Sequence, residues 1–359
     1  MSIESSSPLV FNCGAVMKNR FMLAPMTNQQ SHEDGKLSQD EFDWLTMRAK
    51  GGFGLTMTCA SHVQEIGKGF SGQLGIFSDD HIKGHKKLAS AIKSYGSLAV
   101  IQLHHAGMRS PKEVIGKKAV CPSDSPKHNA RALTLAEVYD LRKDFIDAAI
   151  RAKKSGYDGV EVHGAHGYIV TQFLSTDINK RQDEYGGSLE NRSRLLFEIV
   201  EGIRKACGSN FLLGVRLSPE RFGMQLSEIK TISQQLVDSN LIDFLDLSLW
   251  DYKKTAEEFP DSDRSLLEHI LDLNYKTVKL TVAGTINTGR DVSQVLKAGV
   301  DFVTIGRSAI LHHDFPKRVM ANPEFTPVDI PVSIDYLIKE GLSPTFVNYM
   351  RRWPNFVEE

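Results

Sequence analysis

Leu98-Ala-Val-Ile-Gln-Leu103, Phe211-Leu-Leu-Gly-Val-Arg-Leu217 and Phe302-Val-Thr-Ile-Gly306 are nearly continuous apolar runs. Strands that read this way are covered on both faces, as in a parallel sheet flanked by helices. Working outward, β-rich runs at 21–26, 54–60, 159–163, 243–249 and 278–283 join those at 98–103, 211–217 and 301–305. Amphipathic helices alternate with them. Thr134-Leu-Ala-Glu137 has the pattern of a capping box, and Gly156 can supply the left-handed stop of the helix it opens. Thr288 opens a second such helix that ends at Gly299. Eight strand–helix alternations favour a closed (β/α)8 TIM barrel over an open doubly wound sheet. The open sheet also lacks its G-x-G-x-x-G turn after the first strand. No Pro/Gly/Ser linker or internal repeat divides the chain, so one barrel domain over 1–359 is expected, its tail from residue 325 at a subunit interface.

The composition limits the function. With 359 residues, 41% hydrophobic, 24% charged and a formal net charge of -1, the chain reads as soluble and globular. It has no bulk attraction for nucleic acid or an anionic membrane. No apolar run approaches the roughly 20 residues that span a bilayer, and the polar start Met1 to Pro8 predicts no secretory leader. Cys13, Cys59, Cys121 and Cys207 are scattered, without a C-x-x-C pair, which speaks against a disulfide framework or metal cluster and for the cytoplasm.

In such a barrel the chemistry lies at the C-terminal strand ends. These carry Ala24-Pro25-Met26-Thr27, Cys59-Ala60, Gln102-Leu-His104-His105, His163-Gly-Ala-His166-Gly-Tyr168, Arg216, Ala283-Gly284-Thr285 and Gly306-Arg307. Small residues after the seventh and eighth strands let backbone N–H groups approach a phosphate, and Arg307 adds charge. Gln102 offers a donor and an acceptor to the imide edge of a planar heterocycle, and Arg216 can hold negative charge on it. Together they suit a flat, phosphorylated cofactor such as FMN. His163 and His166 can donate to one substrate oxygen as an oxyanion hole does, and Tyr168 can give a proton to a carbanion. Blander readings stand beside these. The histidines can be metal ligands if further ligands join them, although no metal is expected. His104 and His105 can be structural, Arg216 can be a barrel arginine paired to a carboxylate, and Cys59 suits a small buried residue. A phosphate-binding lyase or isomerase without flavin would explain Gly306 and Arg307, but not Gln102 together with the histidines and Tyr168.

These stretches, with Asn19-Arg20-Phe21 and Asp183-Glu-Tyr-Gly-Gly-Ser-Leu-Glu-Asn-Arg192, resemble the old yellow enzyme family of FMN-dependent ene reductases over almost the full length. The resemblance implies an FMN flanked by Ala24, Pro25, Met26 and Thr27, with the Thr27 hydroxyl near the flavin O4. It places Ala60 and Gln102 on the ring, Arg216 near N1 and O2, and Ala283, Gly284, Gly306 and Arg307 around the phosphate. It implies that NADH or NADPH reduces the flavin, and that His163 and His166 then hold an enone or nitroalkene oxygen while Tyr168 donates the proton. One bacterial branch has Cys at the position of Thr27 and Tyr at that of Gln29. In that branch a tail like Tyr349-Met-Arg351-Arg352-Trp353 sends an arginine into a neighbouring subunit, so a homodimer or homotetramer using Arg351 or Arg352 is an expectation here. The chain ends without the extra flavin domain and cysteine cluster of larger relatives, so one FMN is expected.

Overall fold

The computed structural model describes residues 4–359; Met1 to Ile3 of the polar start lie outside the described residues. Eight parallel strands close a barrel: β1 (Phe21–Leu23), β2 (Leu55–His62), β3 (Leu98–His104), β4 (Gly159–Gly164), β5 (Leu212–Leu217), β6 (Phe244–Ser248), β7 (Lys279–Ala283) and β8 (Phe302–Ile305). Each pairs with its sequence neighbours, and β8 closes on β1 with Val303 beside Phe21. Helices follow in the expected alternation: α1 (Gln39–Lys50), α2 (Ile82–Ser94), α3 (Leu135–Lys154), α4 (Leu189–Cys207), α5 (Leu226–Asp238), the short α6 (Leu266–Ile270), α7 (Gly289–Ala298) and the short α8 (Arg307–Leu311). The architecture is the (β/α)8 TIM barrel.

The helix ends form as their sequences dictate. Thr134 and Glu137 bond reciprocally at the start of α3, and Gly156 follows the end of that helix with φ +82°. Thr288 and Asp291 do the same at α7, which stops at Gly299 with φ +115°. Strand bounds differ from the sequence reading in instructive ways. β1 stops at Leu23 because Pro25 has no N–H to continue the ladder. β2 runs to His62, past the expected 60, and a register shift between Met57 and Ala60 lets it bend over the barrel rim.

One element escaped the sequence reading. A hairpin of Leu9–Val10 and Val16–Met17 closes the bottom of the barrel, and between its strands Phe11 enters the interior, 6.0 Å from the Phe244 ring and 5.7 Å from Phe302. Met22, Leu55, Val100 and Leu212 complete this apolar plug. Burying each such side chain contributes about 1.5–3 kcal/mol. With the bottom sealed, polar inward positions are confined to the top. No helix among the described residues is long and apolar enough to cross a membrane.

Candidate active site

The end of β4 makes a sharp turn in the barrel mouth. His166 and Gly167 adopt φ +61° and +72° in succession. A Cβ at Gly167 would lie 2.8 Å from the Phe222 ring, so any other residue is strained there and must displace that ring. The turn is pinned on every side. The His166 N–H donates to Ser218 Oγ at 3.0 Å, Gln172 Nε2 donates to the Gly167 carbonyl at 2.9 Å, and Arg109 donates to the His166 carbonyl. This reversal brings His163, His166 and Tyr168 to one pocket: His163 lies 5.1 Å from His166 and 5.2 Å from Tyr168, ring centre to ring centre.

His104 belongs to the same cluster, 4.4 Å from Tyr168 and 5.6 Å from His163. Its Nδ1 meets Gln73, and its Nε2 is buried without a partner. His105 takes the structural role: its Nε2 pairs with Gln64 Oε1 at 3.1 Å, and its Nδ1 accepts from the Gly107 N–H at 3.0 Å. Burial, then the charges of Arg216 and Arg109, brings His166 down to about 3. Burial followed by neighbouring imidazoles and arginines holds His163 and His104 well below the usual range. All three are neutral imidazoles at neutral pH.

Beneath them, Gln102 Nε2 donates to Glu161 Oε1 at 2.7 Å. Arg216 Nε stands 3.1 Å from Asp246 Oδ2, close enough to attract but not aligned as a hydrogen bond. Arg216 is therefore both a barrel arginine paired to a carboxylate and a cation facing the mouth. Ala24 is buried; Pro25, Met26, Thr27 and Ala60 are half-buried at the rim. The Ala24 N–H bonds the Ile305 carbonyl, which ties this segment to β8. Ala283 ends β7, and Gly284 packs so closely that an added Cβ would lie 3.2 Å from the Asp251 nitrogen. At Gly306 an added Cβ would meet only Met26 Sδ, at 3.9 Å, so the backbone there is open to a ligand. Arg307 is exposed beside it.

The structure thus brings the sequence-derived residues to one mouth in two groups, and it adds others. Ser248 at the end of β6 lies 2.8 Å from His166 Nε2. Trp250, exposed, has its ring 6.2 Å from His166 and 4.5 Å from the Arg221 guanidinium. Tyr349, in the helix Pro344–Met350, comes close to the Thr27 side chain from within the same chain. Gln29 sits at φ +58°, and Arg351 and Arg352 are exposed. Among the described residues, no three His, Cys, Asp or Glu side chains group to hold a metal ion. A separate cavity of about 400 Å³ is lined by Gln64, Arg131, Glu137 and Asp144.

A planar ring with a phosphate fits what is present. Buried polar atoms without partners, Arg216 Nε and His163 Nδ1 among them, are rare in a closed protein and point to a ligand. Gln102 presents an amide edge beside them, and the open backbone at Gly306 lies across the mouth.

Comparisons with known proteins agree. The NADH:flavin oxidoreductase / NADH oxidase family matches residues 7–324. A probable NADH-dependent flavin oxidoreductase of Bacillus subtilis is 37% identical, over 88% of this chain and 88% of that protein. An NADH oxidase of Thermoanaerobacter brockii is 33% identical over 84% of this chain, which spans only 48% of that longer protein. Among solved structures, the old yellow enzyme homologue of Zymomonas mobilis superposes with a TM-score of 0.80 at 27% identity, covering 93% of this chain and 96% of that one. The chain belongs to the NADH:flavin oxidoreductase / NADH oxidase family, the old yellow enzymes, and is an FMN-dependent oxidoreductase that takes NADH or NADPH as reductant.

Proposed function

We propose that this oxidoreductase reduces the C=C bond of α,β-unsaturated carbonyl or nitro compounds. The observation that carries the reading is the convergence of two neutral imidazoles and one phenol, His163, His166 and Tyr168, with His163 about 5 Å from each of the other two rings. Ala24, Pro25, Met26, Thr27, Ala60, Gln102 and Arg216 would hold the FMN ring. Ala283, Gly284, Gly306 and Arg307 would hold its phosphate. FMN, when bound, supplies the hydride that it has taken from NAD(P)H.

His163 and His166 donate to the substrate oxygen, where negative charge grows as the double bond is reduced. Donors already fixed in place stabilise that charge more than the ground state, which is what lowers the barrier. Their neutrality matters, because an imidazolium would protonate the oxygen or repel the neighbouring arginines. Tyr168 holds the proton for the α-carbon, and Arg109 lies 4.8 Å above its ring, fixing the phenol's place.

We read the chain as one FMN barrel. The exposed Arg351 and Arg352 are free to enter a neighbouring copy's mouth, and sedimentation equilibrium with an Arg351→Ala variant tests that assembly. The four free, dispersed cysteines support a cytoplasmic location. The reduction itself is tested by mixing the anaerobic, NADH-reduced holoenzyme with a cyclic enone and with a nitroalkene. Reoxidation faster than in buffer alone, with a saturated product, is expected. Reoxidation by oxygen alone overturns the reading.

A further inference from the structure

Inward positions of the barrel change character along its axis. They read Val100, Gln102, His104 on β3; Glu161, His163 on β4; Leu212, Gly214, Arg216 on β5; and Phe244, Asp246, Ser248 on β6. Below is the apolar plug, above are the imidazoles, and between them lie two carboxyls, one guanidinium and one amide. Strand register sets Gln102 beside Glu161 and Arg216 beside Asp246. No water-exposed route relieves this layer, since Glu161 and Asp246 are both 0% exposed. Glu161 Oε2 and both Asp246 carboxyl oxygens have no hydrogen-bond partner.

Two carboxylates against one guanidinium sum to one uncompensated negative charge in a dry layer. A buried charge of that kind is relieved by protonation. The same layer lies where Arg216 is placed to meet the negative charge that reduction puts on the ring.

We propose that Glu161 is a positioning residue of the flavin site: as a neutral acid it engages the Gln102 amide N–H, leaving the amide oxygen for the ring edge, and it keeps the layer free of net charge. Burial, followed by the charge of Asp246, pushes Glu161 up to about 8, while Arg216 and the Gln102 bond act in the opposite direction. Asp246 rises to about 6, again through burial, with Arg216 pulling it down. At neutral pH Glu161 therefore keeps its proton and Asp246 balances Arg216. The other titratable groups around Glu161, His163 above it on β4 and His104 and His166 at the mouth, are neutral.

Linkage gives the consequence. Negative charge on the ring raises the proton affinity of Glu161, so above about pH 8 reduction draws a proton to it. NAD(P)H gives up a hydride, which carries both electrons, and one further proton passes from water to the Glu161 carboxylate. For a two-electron couple, each linked proton adds about 30 mV per pH unit to the slope of the midpoint potential.

The inference rests on the proposed placement of FMN over Gln102 and Arg216. Its test is the flavin midpoint potential of the holoenzyme across the neutral to alkaline range, for the parent and for Glu161→Gln, which keeps size and hydrogen bonding. The two lines should coincide near neutrality, and the parent's alone should steepen by about 30 mV per pH unit above about pH 8. Parallel lines, or a constant offset at every pH, overturn the proposal. Infrared spectra of the parent labelled with 13C-glutamate give a readout should Glu161→Gln not fold. A label-sensitive band of a protonated carboxyl at neutral pH, lost on raising the pH, is expected, and its absence overturns the proposal. Gln102→Leu separates the two ideas. An unchanged FMN affinity there overturns the placement and the proposal with it. A weakened affinity beside parallel Glu161→Gln lines overturns the role of Glu161 alone.

Discussion

The His166 Nε2 lies 2.8 Å from the Ser248 hydroxyl, and Arg216 donates to that same hydroxyl from 3.4 Å. Because Arg216 can only donate, Ser248 accepts from it and keeps one O–H and one further lone pair with which to engage His166 Nε2. One serine thus joins Arg216 to His166 and fixes where the imidazole ring lies.

Ser248→Ala removes this contact without removing the imidazole. The variant should bind FMN with parent-like affinity and reduce an enone about 10-fold more slowly, the loss of roughly one hydrogen bond in the transition state. Steady-state kinetics with a saturating enone measure it. A parent-like turnover number would mean that the His166 ring is held in place by something other than Ser248.

Tyr168→Phe isolates the proton. The ring keeps its contact with His104, at 4.4 Å in the parent, so the site should keep its shape. Reduction of the flavin by NADH should change little, while reoxidation by an enone should slow by about 100-fold or more, the usual worth of a positioned acid. Stopped-flow absorbance separates the halves. Equal slowing of both would assign Tyr168 to cofactor or nicotinamide placement instead.

The strands were legible because several are nearly continuous apolar runs in alternation with amphipathic helices, and the strand ends then named the mouth. What stayed hidden depended on register. Asp246 and Glu161 look like ordinary polar breaks within their strands, and nothing in the sequence says that they share one inward layer on strands either side of β5. The hairpin around Phe11 has strands of two residues, too short to show a period. The segment 183–192, which carries much of the family resemblance, proves to be scaffold. Arg181 pairs with Asp183 at 2.6 Å, the Tyr185 hydroxyl donates to Glu198 at 2.6 Å, Ser188 caps α4, and Arg192 pairs with Glu228 at 2.6 Å. Tyr349 was readable only as part of the arginine-bearing tail; its approach to Thr27 needed the fold.

Acid should unfold this protein through its buried histidines. Burial lowers His62 and His85 to about 4, and His105 and His166 to about 3, against an ordinary value of 6.5. A histidine depressed in the folded state takes up protons more readily when unfolded, so stability rises with pH between the two values. The contribution is complete above about pH 6.5 and is lost as pH falls toward 3–4. Each group changes stability by up to about 1.4 kcal/mol per pH unit in that window. Denaturant melts of the FMN-loaded protein should therefore show a midpoint that falls steeply below about pH 6, and that also declines from neutrality toward about pH 8, where the buried Glu161 carboxyl opposes loss of its proton. A midpoint insensitive to pH from 7 to 5 would mean that these imidazoles are already solvated in the folded state.

Gly167→Ala tests the turn on which the candidate site depends. The position has φ +72°, where an L side chain is strained, and the new methyl would meet the Phe222 ring at 2.8 Å. The ring can swing aside, since it belongs to a partly exposed loop residue, so the fold should survive with a loss of about 1–3 kcal/mol. The consequence for function should be larger than for stability. His166 and Tyr168 flank the glycine, and a small rotation there parts the imidazole from the phenol, while the residues proposed to hold FMN on β1, β3 and β8 lie elsewhere. The expected variant is yellow, FMN-loaded and reducible by NADH, but poor at passing its hydride to an enone. A variant that loses FMN instead would show that the β4 turn supports the cofactor as well as the substrate.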